Sequence, residues 1–339
     1  MRILLIRTSA LGDVVHGLPV LTALRRHHPD ATIGWIVEET LAPLLEGHPD
    51  LDEVLAVRLR SWRRPFASRH TTGEIRRFLG RLRDFGPEIV IDLMGNHKAG
   101  VLAALTLADR RIGPARRDRR EPSSACWINE PVRLRGRHVV ERTLSLLAPL
   151  GVPGEPPDFG GDKLLPDAAP PPDLPRDFFV VHPGAAWPNK RYPAASWGDA
   201  ARELAARTGL RGLVVHGPGE AGLTEVALAA GRGALEHVAT DDLGALAALL
   251  RRARLVLGGD TGPLHLARAL GTPVLCLMGP TDPATHGPYG QPEAALWRQL
   301  PCSFCHRRFG EPKACLTTLP PSAVVERAAS LARTAPESP

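Results

Sequence analysis

Short apolar runs alternate with longer helix-patterned segments along this chain, stop once at a cluster of prolines, and then begin again. Residues 2–7, 31–37, 53–57 and 89–93 read as buried strands, with helices expected over about 14–27, 72–85 and 98–108. A short apolar run closed by turn residues suits a strand covered on both faces, as in a parallel sheet. Pro166, Pro170, Pro171, Pro172 and Pro175 break the pattern, because such a run cannot form regular structure and suits a linker. Strands are then expected over 178–182, 213–216, 254–257 and 274–278, and helices over 194–208, 223–230, 243–251, 263–270 and 322–333. The expected class is α/β, with two doubly wound Rossmann-like domains. The first spans 1–165, a linker covers 166–177, the second spans 178–320, and a C-terminal helix and tail fill 321–339. A length of 339 residues with 43% hydrophobic content is enough for two cores of ordinary size.

In open parallel sheets ligands bind beyond the carboxyl ends of the strands, and in a two-domain chain the cleft between domains is the expected site. Strand-ending loops therefore carry the search for chemistry. The first runs from Thr8 to Asp13, where Gly12 permits a tight turn and Asp13 is either a helix cap or a general base. The second, Gly258 to His265, places Asp260, Thr261 and Gly262 before Pro263, a residue suited to a first helical turn. Free N–H groups at that helix start suit an anion such as a diphosphate, while Asp260 or Thr261 as a plain cap is the bland alternative. A third loop, 182–193, contains Lys190, a compact charge for a phosphate in a chain otherwise rich in Arg. Glu220, in the loop 217–220, either accepts two ribose hydroxyls or merely favours a helix start. Residues 279–283 are either a fifth ligand loop or a rigid turn.

Charge and composition narrow the function classes. Net charge is +6, and between Arg58 and Arg83 the only acidic residue is Glu74, so an acidic partner is expected. Stacking-aromatic motifs, finger spacings and basic heptad helices are missing, which argues against nucleic acid. No apolar run reaches the roughly 18 residues of a membrane span, no secretory pattern opens the chain, and a cytoplasmic location is expected. Five cysteines are too few and uneven for a disulfide scaffold. Cys126 and Cys276 read as core residues. Cys302, Cys305, His306 and Cys315 have the types for a structural zinc, although their spacing is irregular and a second CxxC is missing. The metalloprotease and Walker signatures do not occur, and the glycine loops do not match the dinucleotide fingerprint.

The opening run from Met1 to Asp13 resembles that of the lipopolysaccharide heptosyltransferases, glycosyltransferase family 9. So do Trp35 to Glu39, Asp92 to Gly95, Arg120 to Pro122, Val140 to Thr143, Asp260 to His265, and Gly279 to Pro283. The Trp35 and Val140 segments are more similar to the type I branch than to type II. The resemblance implies a GT-B fold, with an ADP-heptose donor held by the second domain. It also implies an acceptor, the Kdo–lipid A inner core of lipopolysaccharide, held by the first. On this reading Asp13 is the base of an inverting displacement that requires no cofactor. Lys190 neutralises the leaving ADP, with Thr261 and Gly262 at the helix start. Glu220 binds the adenosine ribose, Asp260 the sugar hydroxyls, and His265 a phosphate or Asp260. Arg60, Arg63, Arg64 and Arg120 hold acceptor carboxylates or phosphates, as guanidinium forks do well. The same basic patch is expected to draw the enzyme to the inner face of the inner membrane. Two alternatives keep the architecture: an ADP-sugar transferase with another acceptor, and a sugar-nucleotide epimerase.

Overall fold

A computed structural model describes residues 1–62 and 69–334 and divides into two compact units, Met1–Pro166 and Asp167–Pro339. The first unit contains β1 (Arg2–Ile6), α1 (Leu11–His27), β2 (Thr32–Glu38), β3 (Glu53–Val57), α2 (Leu59–Trp62) and α3 (Arg69–Phe85). It continues through β4 (Ile89–Asp92), α4 (His97–Leu105), β5 (Arg110–Pro114), β6 (Glu130–Val132) and α5 (Val139–Leu144), with short 3₁₀ turns between. The strands form one parallel sheet in the order β3-β2-β1-β4-β5-β6. Ile3 to Ile6 and Ile89 to Ile91 are buried, as strands covered by helices on both faces must be. On one face Phe78, Leu82 and Phe85 of α3 and Ala99, Leu102 and Ala103 of α4 pack against Leu4, Ile6, Ile36 and Val90. On α1, Gly17 lets Trp35 pack closely, since its ring would lie 3.0 Å from any added Cβ.

The second unit repeats the plan. It contains β7 (Phe178–His182), α6 (Ala194–Thr208), β8 (Arg211–Val214), α7 (Ala221–Gly231), β9 (Leu235–His237), α8 (Leu243–Arg252) and β10 (Leu255–Gly259). Then follow α9 (Gly262–Ala269), β11 (Val274–Met278), α10 (Pro283–His286), β12 (Ala295–Trp297), α11 (Ala314–Thr317) and α12 (Pro321–Thr334). The sheet order is β12-β11-β10-β7-β8-β9, again all parallel. Counted within the unit, this is the same 3-2-1-4-5-6 winding as the first. The C-terminal helix is integral to this unit. Val324, Val325, Ala328, Ala329 and Ala332 of α12 join Trp197, Leu204, Leu255 and Leu275 in one core.

The doubly wound architecture expected from the alternation is the one observed. The sequence reading passed over β5, β6, β9 and β12. The last three of these have only three residues each, too short for a periodic pattern to register. Strand β10 runs on through Gly258 and Gly259, so Asp260 directly follows the strand.

Candidate functional site

In each sheet the winding reverses direction at the first strand, between β1 and β4 and between β7 and β10. The crevice at such a reversal is where ligands of these sheets bind. The loops leaving those four strands carry most of the residues singled out from the sequence.

In the first unit, α1 starts at Leu11, earlier than expected, which places Asp13 in its first turn. Asp13 Oδ2 accepts from the backbone N–H of Ala10 at 3.1 Å, and Oδ1 accepts from Arg7 Nη2 at 2.6 Å. The carboxylate is nevertheless 44% exposed, held in place yet open to solvent. Arg7 Nη1 donates to the carbonyl of Leu93, so one guanidinium joins the β1 loop to the β4 loop. The β4 loop is shaped from beneath. Asp92 Oδ1 accepts from the N–H groups of Met94 and Gly95, and Asp92 Oδ2 accepts from Arg119 Nη2 at 2.5 Å. Both side chains of this ion pair are fully buried. Arg119 also donates to Ser124 Oγ and to the carbonyl of Pro114.

Sequence reading singled out Arg120 and missed Arg119. The structure gives them different places: Arg119 is buried under the loop, and Arg120 is exposed beside Gly95. Gly95 adopts φ +65°, and its backbone carbonyl accepts from Glu121 N–H. Arg60 lies in α2, after β3, while Arg63 and Arg64 fall outside the described residues.

In the second unit, β7 and β10 are hydrogen-bonded neighbours with Gly258 opposite His182, so the loops that leave them lie side by side. This brings Lys190 to Asp260, with Nζ 2.6 Å from Oδ2. Gly259 makes the approach possible, because a Cβ there would lie 2.7 Å from the carbonyl oxygen of Lys190. The Lys190 ammonium also sits 4.7 Å from the centre of the Trp187 ring. Asp260 Oδ2 accepts a second hydrogen bond from Thr281 Oγ1 at 2.7 Å, and Oδ1 accepts from His265 Nε2 at 2.9 Å. Thr281 comes from the 279–283 loop, so that loop contributes a residue to the cluster. Burial opposes ionisation of Asp260, but His265 and Lys190 outweigh it and hold the carboxyl far below the usual carboxylate range.

Thr261 is the N-cap of α9, yet its side chain makes no capping bond, and its buried Oγ1 finds no partner among the described residues. Three helices are finished differently, with Asn96 capping α4, Asp242 capping α8 and Asp282 capping α10 through their side chains, whereas α1, α6, α7 and α11 share with α9 the lack of a side-chain capping bond. The start of α9 thus keeps its N–H groups available, beside a lysine.

Glu220 sits at the N-cap of α7 and accepts from Gly217 N–H at 3.2 Å. Arg191 lies 3.7 Å and His182 3.8 Å from its oxygens. A Cβ on Gly184 would come within 1.9 Å of Glu220 Oε2, so a side chain there would displace the carboxylate. His182 was not singled out from the sequence. Burial pushes its pKa down, with Glu220 opposing.

The cysteines divide differently from expectation. Cys276 is buried in β11, but Cys126 is exposed, because it lies in the 3₁₀ turn Pro122–Trp127. Cys302 and Cys305 are exposed and Cys315 is half-buried. Among the described residues no three of His, Cys, Asp or Glu are grouped to hold a metal ion. No helix among them is long and apolar enough to cross a membrane.

Comparison with known proteins bears on this geometry. Residues 75–313 match the family model of glycosyltransferase family 9 (heptosyltransferase). The lipopolysaccharide heptosyltransferase 1 of Pseudomonas aeruginosa is 37% identical over 320 residues, covering 91% of this chain and 87% of the relative. The structure of the E. coli heptosyltransferase WaaC with ADP superposes with a TM-score of 0.81 at 28% identity, covering 98% of this chain and 100% of WaaC. WaaC with ADP-2-deoxy-2-fluoro heptose gives a TM-score of 0.77 at 27% identity, covering 96% and 98% of the two chains.

Proposed function

The chain belongs to glycosyltransferase family 9, the heptosyltransferases, and from that premise we propose that it transfers heptose from ADP-heptose, with inversion, onto the Kdo–lipid A inner core of lipopolysaccharide. The observation that carries the donor half is the pairing of Lys190 with Asp260 beside the uncapped start of α9. A fixed ammonium and free backbone N–H groups together suit a diphosphate, and they neutralise the charge that grows as ADP leaves. Asp260 is the hub of this half, because its ionised carboxylate orients both the ammonium and His265. Glu220, held from below by Gly217 N–H and flanked by Arg191, takes the ribose hydroxyls.

Asp13 is the base for the acceptor hydroxyl. A free aspartate has a pKa of about 3.9, so proton transfer must come late, once bonding to the anomeric carbon has made the hydroxyl acidic. Arg7 fixes the carboxylate for that encounter, and the same negative charge stabilises an oxocarbenium-like transition state. Arg120, together with Arg60, Arg63 and Arg64, receives the acceptor anions.

Asp13→Ala is expected to abolish transfer while leaving ADP affinity within about twofold, since the base is needed only in the transition state. Turnover measured with ADP-heptose and Kdo–lipid A, alongside ADP titration calorimetry, checks both. Near-normal turnover in this variant would remove Asp13 from the mechanism.

A further inference from the structure

Lysine is a flexible cation, and a site that depends on its ammonium must hold the stem as well as the charge. At the head group, Asp260 and the Trp187 ring act. At the backbone, Lys190 ends a short 3₁₀ turn, Pro188–Lys190, closed by its N–H to the carbonyl of Trp187 at 2.9 Å. One turn of this kind has little stability of its own. The adjoining residue, Asn189, is 1% exposed although polar.

Its carboxamide is spent in both senses on one distant segment. Nδ2 donates to the carbonyl of Arg307 at 2.8 Å, and Oδ1 accepts from Phe309 N–H at 3.1 Å. That segment has no helix or strand over residues 305–309, and Cys302 and Cys305 lie at its near end. It is seated against the loop that follows β11 by His306, whose backbone N–H donates to the carbonyl of Pro280 at 2.8 Å. The His306 ring meets Trp187 edge-on at 5.7 Å and stacks on His286 at 5.7 Å. On the inner side, a Cβ on Gly279 would come within 3.3 Å of the Asn189 carbonyl oxygen. The Lys190 turn is thus caught between the strand ends and the 302–309 segment, and Asn189 is the clasp.

We infer that Asn189 is a positioning residue for donor binding: its carboxamide locks the Lys190 turn to the cysteine-bearing segment and so fixes the ammonium that meets the diphosphate. The inference rests on the donor site proposed above. Asn189 makes no contact with the donor itself and works through Lys190. Its loss should therefore matter only while Lys190 is present.

A double-mutant cycle of Asn189→Ala and Lys190→Ala, read as ADP dissociation constants by calorimetry, tests this. Losing a charge-assisted phosphate contact weakens binding by roughly tenfold or more, so Lys190→Ala is expected to do at least that. Asn189→Ala should weaken ADP about tenfold in the native background and less than about threefold in Lys190→Ala, because residues acting through one another are non-additive. Equal losses in both backgrounds, or no loss in the native one, overturn the inference while leaving the donor site standing. Unchanged ADP affinity in Lys190→Ala alone sinks the donor site, and the inference with it. If Asn189→Ala shows no cooperative melting, the cycle is run with Asn189→Asp. That variant keeps the acceptor for Phe309 N–H and loses the donor to Arg307, and the same outcomes decide.

Discussion

Asp92 and Arg119 show how a buried pair shapes a strand-ending loop from beneath. Both are fully buried and richly hydrogen-bonded: Asp92 accepts from two backbone N–H groups and a guanidinium, and Arg119 donates to a hydroxyl and a carbonyl besides. Such a pair adds little over an apolar replacement of both partners, but removing one partner strands a charge in the core, at a cost of about 3–5 kcal/mol. Arg119→Met should therefore lower unfolding stability in urea by about that amount. Adding Asp92→Asn, which can still accept the two N–H bonds, should recover part of it. A loss in Arg119→Met below about 1 kcal/mol would show that the pair is not structurally required. The same residues mark a limit of sequence reading. Arg119 and Arg120 are adjacent and chemically alike, and only the fold turns one inward and the other out. Lys190 and Glu220, by contrast, could be placed in strand-ending loops from sequence, because each follows an apolar strand in a stretch rich in glycine or proline.

At the scale of elements, helix starts and strand ends divide the work. Helices α4, α8 and α10 are capped by their own Asn or Asp, whereas α9 opens with Thr-Gly-Pro and its Thr261 side chain makes no capping bond. The turn before β3 carries a different liability. His48 is buried, its Nδ1 accepts from Asp50 N–H, and its buried Nε2 has no partner among the described residues. Burial lowers its pKa; the Lys163 ammonium lowers it further and Asp50 opposes both. A histidine whose folded pKa lies below its unfolded value of about 6.5 contributes stability that is complete above that pH. The contribution is lost as pH falls through the window down to the folded value. His182 is shifted in the same direction by burial. The melting temperature is therefore expected to fall on acidification from about pH 7.5 to 5.5. His48→Asn, which keeps an acceptor for Asp50 N–H but cannot titrate, should give a shallower fall by scanning calorimetry. An unchanged slope would clear His48 of the effect.

For the whole molecule, the relevant quantities are charge and winding. With net charge +6 and the dense arginines of 58–83, the protein is expected to sediment with anionic vesicles at low salt. Each well-placed cation contributes about 1 kcal/mol near such a surface. Raising salt to about 0.5 M should release it, since screening shortens the reach of those charges. Equal sedimentation with neutral vesicles would point to apolar contact instead. The sequence by itself determined that this chain folds as two parallel α/β units, because the period of apolar residues and the proline break are local and survive any arrangement of the strands. It also determined that Lys190, Glu220 and Asp260 lie in strand-ending loops, while Asp13 proved to lie in the first turn of α1. The tertiary structure alone decided what those residues meet. Strand order is set by non-local packing, so nothing near Lys190 in sequence announces that β7 lies beside β10. Because it does, the ammonium of Lys190 reaches Asp260, and the carboxamide of Asn189 reaches a backbone more than a hundred residues away.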